Sequence, residues 1–318
     1  MKVCVIGSKR KSPSTMKIFE ACKKCEKFRS AFFAPTEGIR LGLKKGKFLI
    51  YYRNLDLTTF DAVIPRIGAS KKMFGYLIVK FLREAGVYVP LTPESILIAH
   101  DKFLTLVALN KAKVPIPETY LTMSAPTAKR VISELKPPIV MKLLGGAGGK
   151  GVMFSDDVRN AITLIDTLDL LKQPLFIERY VENPGEDIRA IVVGDQVVAS
   201  MKRIAKKGER RANLAAGGRG VPYRVDVELE KICVKAAKAI GAEICAVDVL
   251  ESPKGPVVIE LNIAPGMKIS KVTGVNVPQI IAEYVAEKAE AHKPKEGMKK
   301  ISYYLERVPK WILEALEE

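Results

Sequence analysis

The sequence has few of the residues from which zinc centres and nucleophile–histidine sites are built. Its 318 residues include only two histidines, His100 and His292, and five cysteines. Cys22 and Cys25 form a C-x-x-C pair, but there is no second pair, so a zinc or redox site lacks ligands. We interpret both as ordinary helix residues, and we find no Ser–His or Cys–His set for covalent catalysis.

Long apolar runs are also missing. No window approaches the roughly 18 apolar residues that a membrane-spanning helix requires. The apolar start of the chain is short and is followed at once by Lys9, Arg10 and Lys11, which does not fit a secretory signal. The sequence therefore predicts a cytoplasmic protein without membrane contact.

Acidic residues are outnumbered, since 52 Lys and Arg face 35 Asp and Glu, for a net charge of +17. This balance favours nucleic acid, a membrane surface, nucleotides or acidic peptides as partners, without choosing between them; a lysine-rich surface of thermophile type is the alternative. The bias is strongest in residues 201–224, which hold one acid, Glu209. The segment predicts a mobile loop over an anionic ligand, or else a solvated loop. Its basic residues are Lys202, Arg203, Lys206, Lys207, Arg210, Arg211, Arg219 and Arg224.

The first hundred residues alternate between strand-like and helix-like segments. Residues 3–6, 62–65 and 87–90 are short apolar strands, and helical patterns follow from Ser12 and from Lys71. This order predicts a small parallel sheet with crossover helices. The G-x-G-x-x-G motif of dinucleotide-binding folds is absent, so the layer is Rossmann-like without that signature.

A run of glycines occupies residues 145–151 and follows a predicted strand, residues 139–144. Glycines let backbone N–H groups approach phosphate oxygens, although a flexible hairpin turn is the alternative. The G-K-[ST] ending of a Walker loop is absent. Lys142 favours the phosphate interpretation, because a lysine in an apolar strand is costly to bury unless an anion meets it.

Two apolar strands near residues 246–250 and 256–261 form a predicted hairpin centred near Lys254. In that register Asp248 lies opposite Glu260, and Asn262 shares the face of Glu260. Two opposed carboxylates repel each other unless a cation lies between them. Oxygen ligands of this kind indicate Mg²⁺ or Mn²⁺ with nucleotide phosphates, and an acidic solvent-facing hairpin is the alternative.

Several motifs in this order resemble the ATP-grasp superfamily, and more narrowly the RimK group of α-L-glutamate ligases. They are Asp101-Lys102, Lys142 before the glycine run, Glu178-Arg179-Tyr180-Val181, Asp187-Ile188-Arg189, Arg211-Ala212-Asn213, Asp248 and Glu260-Leu261-Asn262. Residues 60–68 and 262–266 are similar to that group as well. The resemblance extends over about residues 1–290.

The resemblance implies an α/β protein with an ATP-grasp fold. Residues 1–97 would form a Rossmann-like pre-ATP-grasp domain. Residues 98–177, with the glycine loop, and residues 178–292, with the metal site, would be two α+β subdomains that enclose ATP. Residues 293–318 would be a basic linker and an amphipathic helix over residues 301–318.

Roles at matching positions follow from the same resemblance. The residues implied in ATP binding are Lys102 and Lys142 at the phosphates, Gly146, Gly149 and Gly151 in the loop, Glu178, Arg179, Tyr180 and Val181 at adenine, Asp187 at the ribose, and Arg211 and Asn213 at phosphate and metal. Arg189 and Arg203 would be catalytic, stabilising an acyl phosphate and a tetrahedral intermediate. Asp248, Glu260 and Asn262 would hold two Mg²⁺ or Mn²⁺ ions.

The implied function is an ATP-dependent ligase that adds L-glutamate to an acidic acceptor and releases ADP and phosphate. The acceptor is expected to be an archaeal-type coenzyme of the deazaflavin or tetrahydromethanopterin class, with a ribosomal small-subunit protein tail or a carrier-protein glutamate as alternatives. Homo-oligomers are expected. The rival interpretations are a basic nucleic-acid-binding protein, for which no recognition motif is found, and a regulatory ATP-grasp scaffold without activity.

Overall fold

The computed structural model describes residues 1–44, 47–145, 151–183, 185–206, 208–210 and 217–292. The chain divides into two compact units, one formed by Met1–Ile96 with the residues from Pro278 onward and the other by Leu97–Val277. Within the described ranges, no helix is both long enough and apolar enough to cross a membrane. The finer division predicted from the sequence stays a prediction.

The first unit contains a parallel sheet, a small antiparallel sheet and the helices around them. Its strands are β1 (Lys2–Gly7), β2 (Ser30–Pro35), β3 (Ile39–Lys44), β4 (Lys47–Tyr52), β5 (Leu55–Asp56) and β6 (Ala62–Pro65). Its helices are α1 (Pro13–Lys24), α2 (Lys72–Glu84) and, as far as Ile96, α3 (Pro93–Ala99). A late helix, Val277–Ala291, also belongs here from Pro278 onward.

The predicted parallel sheet is confirmed, with the strand order β2-β1-β6. The predicted strand at residues 87–90 is wrong, because only Tyr88 pairs, through an isolated bridge to Ala62. Pro90 has no N–H to extend that pairing. The antiparallel sheet β3-β4-β5 was not predicted from the sequence.

Helix α1 begins where the sequence predicted, since Ser12 caps it by accepting a hydrogen bond from Thr15 N and Pro13 occupies its first turn. The helix packs closely on β1, because a Cβ on Gly7 would lie 2.9 Å from Thr15 Cγ2. It ends at Lys24 because Cys25 is extended. All five cysteines are free and buried. Cys22 lies in α1 as predicted, whereas the prediction of a helix residue is wrong for Cys25, which follows the helix as its C-cap.

The second unit contains two antiparallel sheets with helices packed on them. Its strands are β7 (Thr119–Thr122), β8 (Ile139–Lys142), β9 (Val152–Ser155), β10 (Leu175–Arg179), β11 (Glu186–Val193), β12 (Gln196–Ile204), β13 (Arg219–Pro222), β14 (Ile244–Ser252) and β15 (Gly255–Asn262). Its helices are α4 (Lys102–Lys111), α5 (Ala125–Leu135), α6 (Val158–Leu170), α7 (Val227–Ala239) and α8 (Ile269–Thr273), and the helix Val277–Ala291 is α9.

The first of these sheets has the order β7-β10-β8-β9. One buried cluster joins α5 and α6 to β8 and β10, with Ile132, Ile139, Met141 and Ile165 at its centre. Strand β8 ends at Lys142, two residues before the predicted end. Lys142 therefore lies at the end of β8, at the edge of this buried cluster.

The second sheet has the order β13-β12-β11-β14-β15. The predicted hairpin near Lys254 is present as β14 and β15. Strands β11 and β12 form a second hairpin, in whose turn Gly194 has the positive φ, 64°, that glycine adopts without strain. Its central strands β11 and β14 are apolar and buried, as Ile191 and Val247 illustrate. The polar residues of these strands are consequently exceptions that require partners.

The basic segment is not a single loop as predicted. Lys202 and Arg203 belong to β12, and Arg219 begins β13, because these residues pair across the sheet. Lys202 forms ion pairs with Glu186 and Glu251, at 3.0 and 3.1 Å. Lys207 and residues 211–216 lie outside the described residues, as does the predicted C-terminal helix.

Candidate active site

Three charged residues form one row across adjacent strands of the larger sheet. Arg189 on β11 pairs with Asp248 on β14, and Asp248 pairs with Glu260 on β15. The predicted register, with Asp248 opposite Glu260, is confirmed. Directly paired residues project from the same face of a sheet, so the row places a cation and two acids side by side. A β-bulge between Asp248 and Val249 shifts the register of β14 against β15 immediately after this row.

Asp248 is buried and held by two guanidinium groups. Arg189 donates from Nε to Oδ1 at 2.7 Å and from Nη2 to Oδ2 at 2.6 Å. Arg203 Nη2 donates to the same Oδ2 at 2.8 Å. Burial alone would raise the pKa of Asp248, but the charges of Arg189 and Arg203 lower it to about 2. Asp248 is therefore a carboxylate at neutral pH.

Arg203 also binds Asp187, its cross-strand neighbour. The Arg203 side chain is only 2% exposed. Burial would lower the pKa of Arg203, yet the charges of Asp248 and Asp187 raise it. Burial raises the pKa of Asp187 to about 6, against the attraction of Arg203. The sequence implied contact of Asp187 with ribose and of Arg203 with the reacting groups; both side chains are engaged with each other, and those roles stay predictions.

Glu260 and Lys102 bring strand β15 and helix α4 into the same electrostatic site. Asp101 caps α4, and Lys102 Nζ donates to Leu144 O at 3.1 Å. Burial lowers the pKa of Lys102, while the charge of Glu260 opposes that change. The pKa of Glu260 is raised by burial and by the charge of Asp248. Asn262 lies two residues further on, and its Oδ1 accepts from Ala264 N at 2.8 Å.

Lys142 forms an ion pair with a protein carboxylate. The sequence-based argument that its burial favours a bound phosphate is therefore wrong. Its Nζ lies 2.6 Å from Glu178 Oε1, in a pair whose side chains are 13% and 4% exposed. A phosphate is consequently not needed to bury Lys142. The other oxygen, Glu178 Oε2, is buried without a hydrogen-bond partner among the described residues. Such an acceptor is costly when unsatisfied, so a ligand donor would stabilise it.

The glycine run lies only partly within the described chain. Gly146 and Gly149 are outside it, whereas Gly145 and Gly151 are inside. Gly151 has φ of 78°, and a Cβ there would lie 2.9 Å from Leu143 Cβ. Its carbonyl accepts from Leu143 N at 2.9 Å. Only glycine fits this close approach to Leu143 at positive φ without strain, and its contact with nucleotide stays a prediction.

The four residues predicted to contact adenine straddle the end of β10. Glu178 and Arg179 are in the strand, and Tyr180 and Val181 follow it. The backbone N–H groups of Arg179 and Tyr180 donate to Glu118 O and Pro138 O. Val181 O accepts from Asn183 Nδ2 at 2.9 Å. Several backbone groups of this segment therefore already have partners within the protein.

A cluster around Arg210 was not predicted from the sequence. Arg210 donates to both oxygens of Asp156, at 2.7 and 2.9 Å. Its guanidinium lies 5.6 and 5.5 Å from the ring centroids of Phe154 and Tyr180. The Arg210–Asp156 ion pair joins residues 54 positions apart, which no local pattern reveals. Arg211 and Asn213, which follow and were predicted to bind phosphate and metal, lie outside the described residues.

The donor set at Asp248, Glu260 and Asn262 suits a hard divalent cation. All three offer oxygen atoms, which Mg²⁺ and Mn²⁺ prefer. A cation would also relieve the repulsion that raises the pKa of Glu260. Over the described ranges no group of three or more His, Cys, Asp or Glu residues is placed to hold a metal ion. A cation here would therefore need the Asn262 amide and oxygens from a ligand.

The fold defines an ATP-grasp protein. The structure of the ATP-grasp ligase PsnB with minimal precursor, Mg and ADP matches it with a TM-score of 0.70 at 17% identity, covering 91% of this chain and 98% of that one. The RimK domain ATP-grasp protein of Sphaerobacter thermophilus matches with a TM-score of 0.67 at 20% identity, covering 90% and 99%. The expected fold class, with mixed α/β content and an N-terminal pre-ATP-grasp domain, is thus confirmed.

Sequence comparison identifies the family. The RimK pre-ATP-grasp domain model matches residues 1–96, and the RimK-like ATP-grasp domain model matches residues 99–285. A "Probable alpha-L-glutamate ligase" of Thioalkalivibrio sulfidiphilus is 34% identical over 296 residues, 92% of this chain and 98% of that protein. A protein of the same description from Legionella pneumophila is 36% identical over 244 residues, 76% and 81% of the two chains. The chain belongs to the RimK family of ATP-grasp ligases.

Proposed function

We propose that this protein is an ATP-dependent carboxylate–amine ligase that adds L-glutamate to an acidic acceptor. The observation that carries the proposal is the row formed by Arg189, Asp248 and Glu260 across three adjacent strands. Support also comes from relatives described as probable α-L-glutamate ligases and from PsnB, which was solved with Mg and ADP.

In this proposal the nucleotide phosphates bind near Lys102 and Lys142. Asp248, Glu260 and Asn262 would hold two Mg²⁺ or Mn²⁺ ions, which supply positive charge to the phosphate oxygens when bound. The positive ends of both lysine side chains act electrostatically on Glu260, which supports a common site. The unsatisfied Glu178 Oε2 offers an acceptor for a donor group of the nucleotide.

The proposed reaction has two steps. A carboxylate oxygen of the acceptor attacks the γ-phosphorus of ATP, the bond to the bridging oxygen breaks, and an acyl phosphate and ADP form. The α-amine of glutamate then attacks the carbonyl carbon, phosphate leaves with the C–O electron pair, and the amine loses a proton. Arg189 would offset negative charge on the transferred phosphoryl group and the oxyanion. Covalent attachment to the protein is not required.

The acceptor is proposed to be an anion that ends in a reactive carboxylate. Archaeal-type coenzymes of the deazaflavin or tetrahydromethanopterin class are the first candidates, followed by a ribosomal small-subunit protein tail and a carrier-protein glutamate. All share carboxylates that a protein of charge +17 attracts.

The test is ADP release with Mg²⁺-ATP and L-glutamate across these acceptors, with mass spectrometry of the products. A gain of one or more glutamyl residues on one acceptor supports the proposal and identifies its substrate. The Glu260→Gln variant controls for contaminating ligases. Nucleotide binding without transfer of glutamate to any acceptor would overturn glutamate ligation, and failure to bind nucleotide would overturn the whole assignment.

A further inference from the structure

The loops that follow the three parallel strands of the first unit meet at one residue, Glu37. Lys9 N, after β1, donates to Glu37 Oε2 at 2.9 Å. Ser8 Oγ, in the same loop, lies 3.5 Å from Oε1. Lys71 Nζ, after β6, lies 2.6 Å from Oε1. Glu37 itself follows β2, so it joins all three loops at the carboxyl edge of the sheet, where open parallel sheets bind their ligands.

This edge carries a concentration of positive charge. Lys9, Arg10 and Lys11 are exposed and Lys72 is half-buried. Within the part of the chain that the structure describes, no carboxylate pairs with the side chain of any of these four. In residues 201–224, by contrast, Lys202, Arg203 and Arg210 are paired with acids. The four cations of this edge have their charge available to an anionic ligand.

A groove of about 620 Å³ opens between the second and third loops. Its walls are Thr36, Glu37, Ile39 and residues 69–74, including Lys71 and Lys72. A groove of this size accommodates a few side chains of an extended chain. The exposed basic loop Lys9, Arg10 and Lys11 is tied to its wall through Glu37. The groove and the cations therefore form a single surface, which we name the basic edge.

The basic edge is rigidly built. Arg66, directly after β6, donates from Nε to Thr15 Oγ1 at 3.1 Å and from its backbone to Ile6 O at 2.8 Å. Thr15 Oγ1 in turn lies 2.8 Å from Ser12 Oγ, the cap of α1. The N-terminus of this 12-residue helix adds the positive end of its dipole. The cations are thus presented from loops anchored on both sides.

We infer that the basic edge binds a run of carboxylates on the acidic acceptor, an inference that rests on the ligase function proposed above. An acidic peptide-like chain fits better than nucleic acid because the wall includes the carboxylate of Glu37. Backbone N–H groups of a peptide can donate to that carboxylate, whereas a phosphodiester backbone carries no N–H donor to offset the repulsion between its charges and Glu37. Lys72 in the groove wall and the three cations of the neighbouring loop, residues 9–11, are separate charges that suit several separate carboxylates.

The test measures binding of fluorescein-labelled hexa-L-glutamate to the full chain, without ATP, by fluorescence anisotropy at several NaCl concentrations. One variant carries Lys9→Gln, Arg10→Gln, Lys11→Gln and Lys72→Gln. A control removes the same charge elsewhere, through Lys17→Gln, Lys23→Gln, Lys24→Gln and Lys254→Gln, all exposed. We expect the first variant to bind at least about tenfold more weakly and the control to stay within about twofold. Thermal melting checks that both are folded.

Equal losses in the two variants would mean attraction by net charge alone and would overturn the inference, as would unchanged binding in the first variant. The assay also measures the binding of two other ligands at matched ionic strength, an oligothymidylate of equal charge and inorganic phosphate. Tighter binding of either one than of hexaglutamate, lost in the first variant, would reassign the surface. If hexaglutamate binds but the protein has no ligase activity, only the proposed function is overturned. If the protein is a ligase but the first variant binds hexaglutamate as well as the unmodified chain does, only this inference is overturned.

Discussion

Arg189 binds both side-chain oxygens of Asp248, with Nε–Oδ1 and Nη2–Oδ2 distances of 2.7 and 2.6 Å. A divalent cation that coordinates Asp248 must compete with this guanidinium, which carries charge of the same sign. Arg189, which we propose to stabilise the reacting groups, therefore also competes with the cation for Asp248. Its effect on turnover and its effect on metal affinity can be measured separately.

We predict that Arg189→Gln raises the affinity of the nucleotide-free protein for Mn²⁺ by roughly tenfold, or about 1.4 kcal/mol, while turnover falls. The physical reason is removal of a like charge in contact with Asp248. Electron paramagnetic resonance of free Mn²⁺ gives the affinity. Arg210→Gln, whose partner is Asp156, is the matched control and should leave it unaltered. An unchanged Mn²⁺ affinity in Arg189→Gln would argue against competition at Asp248.

Glu260→Gln is predicted to abolish turnover without destabilising the protein. It removes a proposed metal ligand, for which we expect a loss in kcat of at least about 100-fold, and it also removes the repulsion from Asp248 that contributes to the raised pKa of Glu260. Steady-state ADP release tests the loss of turnover, and the melting temperature tests whether stability is retained. Glu251→Gln on β14, exposed and paired with Lys202, is the control. Normal ligation by Glu260→Gln would remove Glu260 from the metal site.

Arg203→Ala should be strongly destabilising, by about 3–5 kcal/mol, because it leaves the buried carboxylates of Asp187 and Asp248 without their shared cation. Its neighbour Lys202 offers a matched comparison on the same strand. Lys202 is more exposed, at 23%, so Lys202→Ala should cost less than about 1 kcal/mol. Urea unfolding followed by circular dichroism measures both, and similar costs would contradict the buried network.

The same substitution has a kinetic consequence if Arg203 also acts on the reacting groups. Arg203→Ala, assayed at a temperature where it remains folded, should lower kcat more than it raises the KM for ATP. A turnover number equal to that of the unmodified chain would leave Arg203 with a structural role alone.

Glu37 makes the stability of the first unit depend on pH in the acidic range. The hydrogen bond from Lys71 is the main cause that lowers the pKa of Glu37 from its ordinary 4.5 to about 2. A lowered pKa stabilises the fold above about pH 4.5, and that contribution is lost as the pH falls through about 2. Melting temperatures of the unmodified chain and Glu37→Gln should therefore differ at neutral pH and converge toward pH 2.

Lys71→Gln should reproduce most of the Glu37→Gln effect at neutral pH, because it removes the strongest partner of the carboxylate. A difference between Glu37→Gln and the unmodified chain that stays constant down to pH 2 would show that the charge of Glu37 does not contribute through this interaction.

Local signals in the sequence were sufficient wherever the deciding interactions lie close along the chain. Ser12 and Pro13 specify the start of α1, and Asp101 specifies the start of α4. Asp248 and Glu260 are twelve residues apart in one hairpin, so alternation and a single turn determined that they face each other. The ATP-grasp resemblance rested on the order of such local motifs.

The tertiary structure alone decided which charges neutralise one another. Lys142 and Glu178 are 36 residues apart, Arg203 and Asp248 are 45, and Arg210 and Asp156 are 54. From the sequence, Lys142 was assigned to phosphates, Arg203 to the reacting groups and Arg210 to a basic segment over an anionic ligand, because spacing carries no information about which distant residues become neighbours. Pairing of β8 with β10, and of β11 with both β12 and β14, supplies protein carboxylates to Lys142 and Arg203 instead, since a buried charge is stable only beside its counter-charge. The sequence therefore determined the types of charged group available, and long-range strand pairing determined which of them remain for a ligand.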